Sequence, residues 1–320
     1  MGKLMDKRTT KGFVLAITAA VLWGVSGTLS QFLFQQRDVS VEWLITVRMS
    51  FSGFLLLLLA SVRDRASVVS IWRNKKDALQ LLIFSIAGML AVQYTYFAAI
   101  KHSNAATATV LQYSGPILIA VFLAIRHRRF PKPLELLAIV LAVAGTFLLV
   151  THGDIGTLTI SRPALLFGLA SAVALAIYTL QPADLLAKYR SLVVVGWGML
   201  CGGIIFWFVR APWEVTGHWD LQTYVYTVLI VVFGTLIPFS LYLTAVKLIG
   251  GQKTSLLASA EPLSATLLAV YWLGVPFIAL DWIGSLCIIS TLFLLSIAGR
   301  PGVHGYGWPN WLTKRRRKDT

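Results

Sequence analysis

The stretch SAEPLSATL, from Ser259 to Leu267, places a carboxylate and a proline inside a long apolar run. A similar stretch, YSGPILIAV from Tyr113 to Val121, lies 146 positions earlier and also centres on a proline. A proline lacks a backbone N–H, so the carbonyl four residues before it loses its helical hydrogen-bond partner. The two stretches therefore predict one helix break in each half of the chain, which frees the carbonyls of Gln112 and Ala258.

The composition of the whole chain predicts an integral membrane protein. Of its 320 residues, 57% are hydrophobic and only 13% are charged, and the mean hydropathy is +0.75. A soluble chain of this length would need a polar surface that so few charges cannot supply. Repeated apolar segments of about 20 residues can instead each cross a hydrocarbon core of roughly 30 Å as a helix, with every backbone polar group bonded internally.

Ten apolar segments can be drawn, separated by short gaps that hold most of the charges. They run approximately over residues 12–33, 41–61, 78–100, 104–125, 133–150, 163–181, 191–209, 222–247, 254–274 and 277–298. With the N-terminus in the cytoplasm, 23 lysine and arginine residues fall on the cytoplasmic side and 4 on the other, and Arg48 lies within a segment. This asymmetry follows the positive-inside rule and predicts that both termini are cytoplasmic. It also accounts for the net charge of +15 without a nucleic-acid partner.

An internal repeat divides the ten segments into two halves. A shift of 146 positions superimposes matching residues of less common type, namely Gly88 on Gly234, Tyr96 on Tyr242, Lys101 on Lys247 and Pro116 on Pro262. Each half holds five segments, and because five is odd, the second half enters the membrane from the opposite face. The sequence thus predicts an all-α integral membrane protein of ten transmembrane helices in two inverted five-helix repeats. The repeats are expected at residues 1–150 and 151–298, followed by a basic cytoplasmic tail at 299–320.

Several segments resemble the EamA type of the drug/metabolite transporter superfamily. They are AAVLWGVSGTLSQ (Ala19 to Gln31), VRMSFSGFLLLL (Val47 to Leu58), TATVLQYSGPILIAV (Thr107 to Val121), AIVLAVAGTFLLV (Ala138 to Val150), TSLLASAEPLSATLLA (Thr254 to Ala269) and GSLCIISTLFLL (Gly284 to Leu295). Their order and the two-fold repeat carry the resemblance, which covers almost the whole chain. The resemblance implies the export of small metabolites, often amino acids or related compounds, by alternating access.

Candidate substrate-binding residues lie at the two proline breaks and at polar or aromatic positions inside the segments. Breaks at matching positions of an inverted repeat point to a central binding site, because a freed carbonyl needs a protein or aqueous partner. Polar side chains near the breaks share helix faces. The predicted set comprises Trp23, Thr28, Gln31, Tyr94, Tyr96, Gln112, Tyr113, Pro116, Tyr178, Trp197, Tyr242, Ser259, Glu261 and Pro262.

Two charged residues inside the membrane are candidates for ion or proton coupling. An acidic residue near the centre of a transmembrane helix costs about 2.5–3.5 kcal/mol on insertion scales, so Glu261 must be protonated, paired or hydrated. Arg48 is the obvious partner, but at ~1.5 Å per residue the two lie at heights that differ by about 10 Å. We therefore expect Glu261 to border a wet cavity. Proton coupling and a structural hydrogen-bonding role both remain open for it.

The predicted function is secondary-active export of a small organic metabolite across the plasma membrane of a bacterium. The expected partners are this small molecule, the lipid bilayer and protons or another coupling ion, and no cofactor, metal site or enzymatic activity is expected. A nucleotide-sugar or sugar-phosphate antiporter is an alternative, although it should place several basic residues in the cavity. A membrane sensor or a membrane enzyme is a further alternative. The serine motif GVSG (Gly24 to Gly27) lacks a histidine base within the segments, because all five histidines fall in gaps or in the tail.

Overall fold

A computed structural model describes residues 7–63, 65–126, 133–152, 160–249 and 260–298, and also positions 128, 130, 154, 254, 257 and 258. In this part of the chain the regular structure is helical throughout, without a strand. The first half holds α1 (Lys7–Gln36), α2 (Val41–Arg63), α3 (Arg65–Ser70), α4 (Lys75–Ile83), α5 (Ala91–His102), α6 (Ala105–Gln112), α7 (Gly115–Arg126) and α8 (Pro133–Thr151). The second holds α9 (Arg162–Leu180), α10 (Ala183–Lys188), α11 (Ser191–Phe206), α12 (Leu221–Val231), α13 (Ile237–Ile249), α14 (Ala260–Tyr271) and α15 (Ala279–Ala298).

The protein is an all-α membrane protein, as its composition predicts. Five helical stretches of 22 to 28 residues are long and apolar enough to cross a bilayer: Thr9–Gln36, Val41–Val62, Lys75–His102, Arg162–Lys188 and Leu221–Tyr242. At 1.5 Å per residue, 22 residues span about 33 Å, slightly more than the hydrocarbon core. Three shorter apolar helices, Pro133–Leu149, Ser191–Phe206 and Ala279–Thr291, lie within three further predicted segments. Helix occupies each of the ten predicted segments, whereas ten membrane crossings stay a prediction.

Two of the long helices contain a π-helical turn at matching positions. Phe84–Leu90 joins α4 to α5, and Val232–Leu236 joins α12 to α13. The turns include Gly88 and Gly234, which are the glycines that the 146-residue shift superimposes. A π-turn inserts an extra residue into the helix and frees local backbone groups, and such turns are frequent at functional sites.

Equivalent helices of the two halves make equivalent packing contacts. The helix α2 packs along α11, and α8 packs along α15, so each pair takes one helix from each half. In the same way α1 packs against α13 and α14, whereas its counterpart α9 packs against α5 and against α6 and α7. Swapping the halves converts one set of contacts into the other, which is the pattern expected for two repeats related by a two-fold axis.

The contact between α8 and α15 depends on two glycines that let the backbones approach closely. A Cβ atom at Gly145 would lie 2.6 Å from the carbonyl oxygen of Gly284, and one at Gly284 would lie 2.7 Å from the carbonyl oxygen of Gly145. Both distances are shorter than van der Waals contact. Helices in a membrane gain stability mainly from such close packing, because lipid chains are as apolar as the side chains themselves.

Candidate functional site

The first broken helix runs from α6 to α7 and is interrupted at Tyr113 and Ser114. Every residue of α6 is buried, so this segment lies inside the protein. The side chain of Asn104 caps its N-terminus by accepting a hydrogen bond from the Thr107 N–H at 2.8 Å. Pro116 is the second residue of α7. In the first turn of a helix the missing N–H of a proline costs little, so the proline starts a new segment here.

The second broken helix repeats this arrangement before α14. The N–H of Ala258 bonds the Thr254 carbonyl, and the N–H of Glu261 bonds the Ala258 carbonyl at 2.9 Å. The helix α14 then begins at Ala260, and the buried Pro262 lies in its first turn. Glu261 is partly buried at the same turn. Ser259, which belongs to the predicted set, lies outside the described residues.

The hydroxyl of Tyr113 connects the two breaks. Its oxygen lies 2.8 Å from the carbonyl oxygen of Ala258 and 3.0 Å from Oε2 of Glu261. The first distance places a second donor on the Ala258 carbonyl, which accepts from the Glu261 N–H but cannot accept from Pro262. A phenol has only one hydrogen to donate. It can therefore bond either the carbonyl or an ionised carboxylate, whereas a protonated Glu261 could donate to the phenol oxygen and let Tyr113 donate to Ala258.

Aromatic residues from four further helices surround this contact. The hydroxyl of Tyr96 lies 2.8 Å from Oγ1 of Thr109 on α6. The rings of Trp23 and Tyr242 have centroids 5.4 Å apart, and Tyr178 interacts electrostatically with Tyr242. Glu261 interacts electrostatically with Tyr96, Tyr113 and Tyr242. We call this group the central cluster, and its members are Trp23, Tyr96, Tyr113, Tyr178, Tyr242 and Glu261.

Two glycines of α1 bring that helix close to the central cluster. A Cβ atom at Gly24 would lie 2.7 Å from the carbonyl oxygen of Glu261 and would clash with the backbone of α14. A Cβ atom at Gly27 would lie 2.8 Å from the hydroxyl oxygen of Tyr96. Small residues at these positions therefore let α1 contact both the carboxylate-bearing turn and the tyrosine of α5.

Arg48 is buried but forms no hydrogen bond with Glu261. Its Nε donates to Oγ1 of Thr235, its Nη2 donates to the carbonyl of Gly234 at 3.0 Å, and its guanidinium lies 4.8 Å from the centre of the Phe97 ring. The π-turn of the second half thus holds the arginine through a carbonyl that a regular helix would use internally. Arg48 and Glu261 still interact electrostatically. The difference in their heights across the membrane stays a prediction.

The remaining predicted residues divide into those beside the central cluster and those apart from it. The hydroxyl of Thr28 donates to the carbonyl of Gly24, and Oε1 of Gln31 accepts from the N–H of Ala105 at 2.8 Å. Gln112 is buried one position before the first break.

Two aromatic predictions do not join the central cluster. The Tyr94 ring packs against Phe167 and Phe206. Trp197 donates its indole N–H to the carbonyl of Val68 at 2.8 Å and packs edge-to-face on Trp72. These contacts place Trp197 against the connection between α2 and α4, because its side of α11 faces that connection and not the centre of the protein.

A polar cleft of about 330 Å³ opens at the helix ends that the charge count assigns to the outside. We call it the outer cleft. Its polar lining residues are Gln31, Gln35, Ser103, Asn104, Thr107, His152 and Asp281. A contact of 2.8 Å between Nε2 of His152 and Oδ1 of Asp281 joins α8 to α15 at this cleft. Apart from Gln31, these residues were not predicted: Gln35, Ser103 and His152 lie in gaps between the predicted segments, and Asn104, Thr107 and Asp281 lie near segment ends, away from the proline breaks. Thr235 was missed as well, although the repeated glycine beside it marked the turn.

The family model of the EamA-like transporter family matches residues 10–151 and 162–297, so the family domain occurs twice. The chain belongs to this family. A Salmonella typhimurium protein, the uncharacterized inner membrane transporter YicL, is 45% identical over 296 residues, which cover 91% of this chain and 97% of YicL. The threonine/homoserine exporter RhtA of Salmonella typhimurium is 27% identical over 226 residues, which cover 69% of this chain and 72% of RhtA.

A solved crystal structure is similar in fold to this member of the EamA-like family. It covers 90% of this chain and 97% of its own, with a TM-score of 0.60 at 20% sequence identity. At this identity the likeness concerns the fold alone. The family membership, the transporter relatives and the apolar helices together make this chain a multi-pass transporter of the bacterial inner membrane with a small-molecule substrate.

Proposed function

We propose that this EamA-like protein is a secondary-active transporter that exports an amino acid or a related small metabolite by alternating access. The observation that carries the proposal is the Tyr113 hydroxyl, which lies within 3.0 Å of both the Ala258 carbonyl and Glu261. It joins the broken helix of one half to the broken helix of the other at an intramembrane carboxylate. The relative RhtA, by its name an exporter of threonine and homoserine, supports the substrate class.

The proposal includes the topology that the charges predict. The repeats would comprise residues 1–150 and 151–298, inverted with respect to each other, and residues 299–320 would form a cytoplasmic tail, with both termini inside. The exchange of helix contacts between the halves supports the two-fold relation. The matched π-turns at Gly88 and Gly234 support it independently.

We further propose that Glu261 couples transport to a proton or to another cation. The hydroxyl of Tyr113 has one hydrogen for two acceptors, so the hydrogen bonds of this group depend on whether Glu261 carries a proton. Protonation would release Tyr113 to the Ala258 carbonyl, and deprotonation would draw it to the carboxylate. The charge state of Glu261 would in this way change the contact between the two halves, while Arg48 contributes through the field of its buried charge.

The arrangement of Arg48 gives little support to a nucleotide-sugar or sugar-phosphate antiporter. Its guanidinium is engaged by Thr235 and by the Gly234 carbonyl. A phosphate-bearing substrate would need cationic donors free to bind it. A transporter and a membrane sensor differ in one measurable property, the flux of solute across a sealed membrane.

The test is a flux assay in liposomes combined with an export and toxicity-rescue screen. Wild-type protein and the variants Tyr113→Ala and Glu261→Gln are compared with threonine, homoserine and a panel of other amino acids and analogues. We expect wild type to carry at least one of these compounds and both variants to lose most of that flux. Absence of flux for the whole panel would overturn the substrate class, and equal flux in all three proteins would remove the proposed site.

A further inference from the structure

The two halves are tied together at both helix ends by ion pairs that occupy corresponding places in the repeats. At the predicted cytoplasmic end, Nζ of Lys188 lies 2.6 Å from Oδ1 of Asp77, and the Tyr189 hydroxyl donates to Oδ2 at 2.9 Å. Asp77 lies in the first turn of α4, in the first half, whereas Lys188 ends α10 in the second half. We call Asp77, Lys188 and Tyr189 the inner latch.

The predicted outer end carries the counterpart of this contact. Nη2 of Arg37 lies 3.1 Å from Oδ2 of Asp220 and donates to Oε1 of Gln222 at 2.9 Å. Arg37 directly follows α1, in the first half, and Asp220 caps the N-terminus of α12 in the second half. We call Arg37, Asp220 and Gln222 the outer latch.

The two latches correspond under the exchange of halves. In each, an acidic residue at the start of a π-turn helix meets a basic residue at the end of the long helix that packs against it. Exchanging the halves places α4 on α12. It also places the end of the long stretch formed by α9 and α10 on the end of α1. Each latch therefore bridges the halves at one face of the membrane only.

The latches differ in burial. Asp77 is 3% exposed and each of its carboxylate oxygens accepts a hydrogen bond. Burial raises the pKa of Tyr189, and its bond to Asp77 raises it further, so the phenol stays a donor. In the outer latch half of the Asp220 side chain is exposed. The pKa of Asp220 is lowered first by hydrogen bonds from Thr223 and less by Arg37, so its own helix is its main partner.

We propose that the inner and outer latches are paired gates, each of which must break before the central cluster opens to its own face of the membrane. This inference rests on the proposed alternating access and assigns residues to its two gates. A buried carboxylate that two donors of the opposite half contact is held more strongly than a half-exposed carboxylate that has one charged donor from the opposite half and is screened by water and salt. The inner latch thus biases the resting protein toward closure on the cytoplasmic side, and the outer cleft is the side that opens first.

Distances between spin labels test the gates without a substrate. Cys201 and Cys287 are free cysteines, and their replacement by serine gives a background for pairs of new cysteines. Lys76 and Ala187, both exposed, flank the inner latch, and Gln36 and Leu221, both exposed, flank the outer latch. Double electron–electron resonance on protein in lipid nanodiscs then reports each separation.

For Asp77→Asn we expect the population with a longer inner separation to rise roughly tenfold, because one charge-assisted hydrogen bond is lost. The outer separation should shorten in the same molecules. Lys188→Gln, at a half-exposed position, should act in the same direction if Asp77→Asn does not fold. Lys188→Arg keeps the charge and should retain the short inner separation. For Asp220→Asn we expect a smaller shift, confined to the outer pair of labels.

The matched control is Glu214→Gln, which removes an ion pair of 3.6 Å with Arg210 within one loop of the second half. It should leave both separations unchanged. The gate proposal is overturned if folded Asp77→Asn and Lys188→Gln keep the wild-type inner separation, or if Glu214→Gln moves it equally. Failure of the proposed transport function would give a different result. Wild type would then carry no solute, although the label separations would still respond to Asp77→Asn.

Discussion

The broken helices of the two halves share the same backbone break, but the side chains at the two breaks differ chemically. Each has a proline in the first turn of its second segment. In the 146-residue register Tyr113 corresponds to Ser259, and Glu261 corresponds to Gly115. The first half thus supplies a phenol and the second a carboxylate, and the two meet at 3.0 Å. The repeat preserves the geometry of the backbone, whereas the chemistry of the site is asymmetric.

This asymmetry means that one half carries the ionisable group and the other carries the group that responds to it. Two identical breaks with two carboxylates would place like charges close together in a low-dielectric region, which is costly. A donor on one side and an acceptor on the other lets the halves bind each other through a single hydrogen. Four substitutions, at Glu261, Tyr113 and the two prolines, separate the effect of the shared backbone break from the effect of the unequal side chains.

The largest effect is expected for Glu261→Gln. The amide cannot ionise, so transport driven by a pH gradient should fall at least about tenfold, the equivalent of one lost interaction with a charged group. The variant should be inserted as well as wild type, because removing a charge from a helix centre relieves a cost of about 2.5–3.5 kcal/mol. The measurement is uphill uptake beside equilibrium counterflow, which needs no driving ion. An unchanged dependence of transport on pH would exclude coupling through this residue.

An intermediate effect is expected for Tyr113→Phe. The ring stays, but Ala258 and Glu261 lose their shared donor, and the rate should fall by roughly tenfold, since a hydrogen bond to a charged group contributes about 1.5–3 kcal/mol. The matched control is Tyr94→Phe, whose ring packs against Phe167 and Phe206 away from the carboxylate. Equal rates for the two phenylalanine variants would show that the Tyr113 hydroxyl has no special role.

The smallest effects are expected for alanine at the two prolines. Pro262→Ala restores an N–H that can compete with Tyr113 for the Ala258 carbonyl, and Pro116→Ala restores one that can reach Gln112. We expect a loss of transport of a few-fold, greater at position 262, because the Ala258 carbonyl accepts the Tyr113 hydroxyl of the opposite half. Pro163→Ala at the start of α9 is the control. Flux and amide hydrogen exchange around both breaks are the measurements, and a larger loss for Pro116→Ala would reverse the comparison.

Much of the fold could be predicted because it depends on local chemistry. A run of about 20 apolar residues must become a helix in lipid, whatever surrounds it, since its backbone groups have no other partner. The ten segments therefore coincide with helices, and the two segments that hold Pro116 and Pro262 are each interrupted beside the proline. The matching of Gly88 with Gly234 marked the two π-turns, although the sequence did not predict π geometry there.

The candidate site was predictable as a set of residues but not as a set of contacts. Trp23, Tyr96, Tyr113, Tyr178, Tyr242 and Glu261 were all predicted, and the structure brings them together. Trp197 was predicted with the same reasoning and lies elsewhere. An aromatic residue inside an apolar helix looks the same in sequence whether it faces the centre or a neighbouring connection, because the rotation of the helix about its axis is set by its neighbours.

By itself the sequence determined that this is an inner membrane protein of apolar helices, where those helices break, and which family it belongs to. Only the tertiary structure decided that Tyr113 serves the carbonyl of Ala258, that Arg48 binds the π-turn at Gly234, and that Asp77 meets Lys188. These contacts join residues 145, 186 and 111 positions apart. Partners at such separations are chosen by how whole helices pack, and no local pattern in the chain encodes that choice.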